Sequence, residues 1–201
     1  KKEKNSTSDT RGSPQHHFCV RKNGAGFTLV ETLVAIAILL VAVVEPLSIV
    51  AGSIATANLA KDQITAYYLA QEGVELVKNK RDSNVLATQG WLTGASQSLA
   101  SCIGGYCYID AATLAAIACS TPNDPTSCPV LNKIQSGNLN IYGYAAGTAT
   151  TFQRSITITE AVPGREAEII VKMYWRTGSL YGTGPTNRSF EIRERIFNWS
   201  G

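Results

Sequence analysis

Residues 27–44 read FTLVETLVAIAILLVAVV, a run whose one charge is Glu31. Residues 47–51 extend it beyond Glu45 and Pro46. About 20 such residues are needed to cross a bilayer core as a helix, so the stretch predicts a membrane-spanning segment. The sequence before it is polar and basic. Lys1, Lys2, Lys4, Arg11, Arg21 and Lys22 stand there against only Glu3 and Asp9. The whole 201-residue chain has a net charge of +3, which leaves the part after residue 26 close to neutral. Arg21 and Lys22, just ahead of the run, assign the N-terminus to the cytoplasm by the positive-inside rule. A secretory signal would carry its small-residue cleavage site after the apolar run. Here Gly24, Ala25 and Gly26 precede it. No apolar run precedes Cys19, which excludes a lipoprotein anchor at that position.

Glu31 is the informative residue. A carboxylate at mid-bilayer costs about 2.5–3.5 kcal/mol, and less near the interface. Taken alone, it reads equally well as an interfacial residue flanking a membrane helix. Its context is more specific. Gly26, Phe27, Thr28, Leu29, Val30 and Glu31, after a basic leader and before an apolar helix, resemble the cleavage and methylation motif of type IV prepilins and pseudopilins. The resemblance implies cutting between Gly26 and Phe27 by prepilin peptidase, a membrane aspartic peptidase, on the cytoplasmic side. It implies N-methylation of the new Phe27 amine. It further implies partners: the chain itself and other pilins in a filament, a membrane platform protein and an assembly ATPase. In such an assembly Glu31 of one subunit approaches the Phe27 amine of a neighbour. Opposite charges attract strongly at low dielectric, and each compensates the other's burial. The pair acts as a register device more than as a large stabiliser.

Pro46 lacks a backbone donor and clashes with the carbonyl of Ala42, so a kink is expected there. The resemblance adds that a proline in this region permits melting on assembly. Beyond it, Ile64, Tyr67, Ala70, Val74 and Val77 recur at helical spacing, which predicts an amphipathic continuation. Lys78, Lys80 and Arg81 suit a last turn, and Asp82, Ser83 and Asn84 read as a stop. Residues 69–73 are similar to a LAQEG stretch seen in pilin-like chains.

Residues 83–150 are rich in Ser, Thr, Gly, Ala and Asn and read as loops, with a short helix at 111–118. Cys102, Cys107, Cys119 and Cys128 lie here, an even count that argues for disulfides outside the cytoplasm. Three pairings are open, and the local one joins Cys102 to Cys107 and Cys119 to Cys128. Zinc ligation is disfavoured: the spacings are wrong, and both histidines, His16 and His17, lie in the leader. Asn123 and Asp124 read as turn residues rather than calcium ligands. The last third alternates. Phe152, Ile156 and Ile158, then Ile169, Val171, Met173 and Trp175, then Phe190, Ile192 and Ile196 mark three antiparallel strands with one buried face. The turn at Pro163 and Gly164 joins the first two.

The expected organisation is a leader (1–26), a membrane or filament-core helix (27–51), its amphipathic half (52–82), a disulfide-bearing loop region (83–150) and an antiparallel sheet (151–201). That is an α+β, pilin-like class: a long helix packed on a sheet. No catalytic constellation, phosphate loop or cofactor motif is read. Glu160, Glu166, Glu168, Glu191 and Glu194 read as solvated strand positions. The near-neutral body weighs against direct nucleic-acid binding, although Lys172, Arg176, Arg188, Arg193 and Arg195 could gather locally. Their simpler reading is a solvated sheet face. The expected function is that of a filament subunit, single-pass in the membrane before assembly and extracellular or periplasmic after it. The alternatives are a type II secretion pseudopilin and a membrane-anchored extracellular binding module that never polymerises.

Overall fold

The computed structural model of the chain describes residues 26–95, 98–137, 139–177 and 186–199. The leader up to residue 25 and the glycine-rich stretch at 178–185 lie outside them. The chain divides into two compact units, Lys1–Pro46 and Leu47–Gly201. One helix, α1 (Leu29–Leu86), carries the apolar run and has Pro46 inside it. It is long and apolar enough to cross a membrane, with a mean hydropathy of 2.7 over its most apolar window. Nothing in that window is buried within the chain.

In the second unit α1 packs on an antiparallel sheet through Ala66, Leu69, Ala70, Gly73, Val74 and Val77. The apolar spacing also placed Ile64 and Tyr67 on this face, but they are 57% and 47% exposed. Helical phase explains the difference: at 3.6 residues per turn Ile64 falls on the side of the helix opposite the stripe of Ala66, Ala70, Gly73 and Val77, and Tyr67 falls at its edge. Tyr67 borders the interface instead, its ring 6.2 Å from that of Phe190.

The stop expected at residues 82–84 is passed, and the helix ends at Leu86. Gln89 N donates to Asn84 O (2.9 Å) and Thr88 N to Val85 O (3.0 Å), with Thr88 at φ 52°. This is a Schellman ending, here with a non-glycine residue in the left-handed position. Asn84 is wholly buried and donates to Trp91 O (3.3 Å), while Val85 enters the core. A polar residue read as a helix breaker thus serves as a buried anchor. The basic residues fall one turn short of the end.

The sheet has seven strands: β1 (Cys107–Ile109), β2 (Ala116–Ala118), β3 (Val130–Ser136), β4 (Leu139–Gly143), β5 (Thr148–Val162), β6 (Glu166–Thr177) and β7 (Thr186–Phe197). β5 is central, with β6 then β7 on one side and β1 and β3 sharing the other. Three strands were expected from residue 151, and those three are β5, β6 and β7. The other four lie in the stretch read as loops. They are short, from three to seven residues, so period-two alternation hardly registers. The helix expected at 111–118 is replaced by a turn and β2. Asp110 accepts hydrogen bonds from Ala112 N and Thr113 Oγ1 (2.9 Å) and fixes a turn there.

Cys102 is bonded to Cys107 and Cys119 to Cys128, with Cα separations of 4.9 and 4.5 Å. All four cysteines are buried. The second bridge ties the chain leaving β2 to the chain entering β3, where Gln153 Nε2 also holds the Cys128 carbonyl. Replacing Cys119 and Cys128 by serine should cost about 2–3 kcal/mol of stability. Urea unfolding of the full chain in detergent, with and without reductant, would measure it; the variant should lose part of the reductant sensitivity.

Arg154 breaks the apolar face of β5. It is fully buried between Phe152 and Ile156 on the side facing α1. Its guanidinium donates to Leu69 O (2.9 Å), Glu72 Oε2 (2.7 Å) and Ile109 O (3.3 Å). Its stem lies over Gly73, where an added Cβ would stand 3.0 Å from Arg154 Cδ and 3.1 Å from Val171 Cγ1. Residues 69–73 therefore supply a carbonyl, a carboxylate and an open space to one arginine.

Candidate processing and assembly site

Gly26, Phe27 and Thr28 are non-helical, and α1 starts at Leu29. A Cβ built on Gly26 would meet nothing within 4 Å, and Phe27 is 78% exposed. The Gly26 to Phe27 peptide bond thus lies in exposed backbone ahead of the helix.

Thr28 is the N-cap. Its Oγ1 accepts from Glu31 N (3.2 Å), and its carbonyl accepts from Thr32 N (3.1 Å). Threonine three residues before glutamate is the sequence form of a capping box. Without a cap, the first four helix N–H groups lack intrahelical partners. A carboxylate in the first turn is also favoured by the helix dipole. Glu31 therefore has a local role in addition to any role in assembly. Thr28 was not singled out in the sequence, although its spacing from Glu31 carried the signal.

From Leu33 to Val44 the helix is apolar on every side: Leu33, Val34, Ile38 and Leu39, which point in different directions round it, are each more than half exposed. A helix without a polar face needs lipid or other helices around it. Gly26 and Phe27 precede α1, and Glu31 lies in its first turn. Pro46 lies farther along α1, and the four cysteines lie in the second unit.

The remaining candidates are accounted for within the sheet. Glu166 pairs with Arg195 (2.7 Å), Glu168 with Arg193 (3.5 Å) and Glu191 with Arg193 (2.8 Å) and Lys172 (3.6 Å). Glu194 pairs with Lys78 of α1, and Glu160 accepts from Gly164 N. The hydrogen bond from Arg193 holds the Glu191 carboxyl below its usual range. Of the five basic residues considered as a patch, Lys172, Arg193 and Arg195 are neutralised by these partners. Asp124 caps the 3-10 turn Pro125–Ser127 through Thr126 N (2.8 Å). Among the described residues no group of three or more His, Cys, Asp or Glu is placed to hold a metal.

A family model for the prokaryotic N-terminal methylation motif matches residues 21–44. Comparison with curated proteins and with solved structures found no match.

Proposed function

The chain being a type IV pilin- or pseudopilin-like precursor by its methylation motif, we propose that it is a structural subunit of a type IV pilus-like filament. Prepilin peptidase removes the leader at Gly26. The new Phe27 amine is then methylated, and the apolar half of α1 holds the subunit in the membrane as a reservoir. A platform protein and an assembly ATPase draw it into the filament, where the helices bundle and Glu31 meets a neighbour's Phe27 amine. Pro46 gives the helix a point at which to yield during that transfer. The second unit then lies outside the cytoplasm. The basic pair Arg21 and Lys22 and the two disulfides support that side.

The observation that carries this reading is the helix's first turn. An exposed Gly26 to Phe27 bond precedes a capped helix that is apolar all round, with one carboxylate, Glu31, before Glu45. A membrane anchor alone requires neither the junction nor the charge. N-terminal sequencing and intact mass of the protein from its native membrane or filament fraction test it. The expected chain begins at Phe27 and is one methyl group heavier than the sequence. A chain that retains its leader in cells with active peptidase would overturn the reading in favour of a simple anchored module.

A further inference from the structure

β7 ends the sheet. β6 pairs with it on one side, and among the described residues no strand lies on the other. Exposed edges are ordinarily blunted by short length, proline, lysine or a bulge. β7 is twelve residues long, has no proline or lysine, and pairs with β6 without a register shift. Arg193 and Arg195 are drawn toward β6 by Glu168 and Glu166. The edge is thus a long row of backbone donors and acceptors open to another strand.

The side chains along it are self-complementary. Arg188, Phe190, Ile192 and Glu194 stand opposite Trp175, Met173, Val171 and Ile169, so they share the face turned to α1. They read cation, apolar, apolar, anion. Reversed about a two-fold axis at Glu191, Arg188 meets Glu194 of the second copy and Phe190 meets its Ile192, and each contact occurs twice. The neighbouring registers set Glu194 against Phe190 or Arg188 against Ile192. On the other face Glu191 meets its own copy, but each is already held by Arg193 and Lys172.

Two features of the single chain fit this register. Arg188 is exposed and has no ionic partner among the described residues, whereas Glu75 and Glu194 share one cation, Lys78. The unmatched charge of each copy is therefore offset by the other. A hollow of about 360 Å³ lies between α1 and β7, lined by Tyr67, Gln71, Val74, Glu75, Ile192 and Glu194. No β6 residue lines it, so it opens on the free side of β7. Phe190 of the second copy, placed beside Ile192, would lie over it.

We propose that β7 pairs antiparallel with β7 of a second copy about a two-fold axis at Glu191, joining chains that run in opposite directions. Copies anchored in one membrane share one orientation, so the contact joins opposed membranes or filaments of opposite direction. That last clause rests on the filament reading given above; the strand pairing does not.

The test uses the full chain in detergent, where orientation is free, with Cys19 replaced by serine. Sedimentation should show a dimer, and Arg188→Glu, at an exposed position without an internal partner, should weaken it about tenfold or more. Under mild oxidation Glu191→Cys, at the axis, should give a covalent dimer. Arg195→Cys, four residues along the same strand, should not. In intact cells that cannot assemble filaments, Glu191→Cys in the membrane pool should give no crosslink. A monomer in detergent, a dimer indifferent to Arg188→Glu, or equal crosslinking at both positions would each overturn the pairing. A crosslink within the single membrane would overturn the opposed arrangement. Protection of β7 amides in a monomer by a copurifying chain would assign the edge to another protein and overturn the proposal equally.

Discussion

Glu31→Ala should abolish filaments while leaving the chain in the membrane. Two effects of the substitution oppose each other. Removing a carboxylate from an apolar helix eases insertion by up to about 2.5–3.5 kcal/mol, less near the interface. In the assembled state the same change leaves a neighbour's Phe27 ammonium buried without a counter-charge. Stripping one partner from a buried pair costs about 3–5 kcal/mol, which is roughly a hundredfold or more in subunit affinity. The monomer reservoir is thus favoured and the filament disfavoured. Immunoblots of sheared filament and membrane fractions should show the filament band lost and the membrane band kept. Glu31→Gln separates charge from shape, because it keeps most of the volume and the capping-box geometry but cannot neutralise an amine. It should fail as alanine does. Normal filaments from either variant would remove the register role from Glu31 and leave it only as a first-turn charge favoured by the helix dipole.

The helix was legible because its signals are local and strong. A long apolar run with one charge needs no tertiary context, and the alternation of Ile169, Val171, Met173 and Trp175 fixes the buried face of β6 directly. Where the reading slipped, tertiary packing had overruled a local preference. Asn84 looks like a stop, yet it is buried with Trp91 O as its acceptor. Ile64 is more apolar than Ala66, yet Ala66 is buried because it lies in phase with Ala70, Gly73 and Val77 on the side facing the sheet, and Ile64 does not. The strands in 107–143 are too short for alternation to show, and β1 and β3 are held by disulfides and by pairing to β5, neither of which has a periodic signature. Arg154 is the clearest case. Its partners Leu69 and Glu72 lie more than eighty residues away, and an arginine in a strand is ordinarily a solvated one.

That arginine carries the largest stability effect expected in the second unit. Arg154→Leu should lower stability by about 2–4 kcal/mol. The estimate has to be weighed against the finding that buried ion pairs often give way to apolar residues at no cost. That holds when both partners are replaced and nothing polar is left behind. Here leucine would leave the Ile109 carbonyl without its charged donor and the Leu69 carbonyl with only helical bonding, both in a closed interface. Glu72 is 38% exposed, so its carboxylate can turn to water and adds little to the penalty. At about 2–4 °C per kcal/mol for a unit of this size, the melting temperature of the full chain in detergent should fall by roughly 5–15 °C. Gly73→Ala tests the same contact from the helix side. Alanine gains about 1 kcal/mol of helix propensity, but its Cβ would press on Arg154 Cδ and Val171 Cγ1, and overpacking costs about 1–3 kcal/mol. The net effect should be a modest loss. In the double variant the arginine stem is gone, so alanine has room and the two losses should sum to less than their separate values. Strict additivity would show that Arg154 and Gly73 do not share one contact. A neutral Arg154→Leu would show that the helix is held to the sheet by its alanine and valine stripe alone.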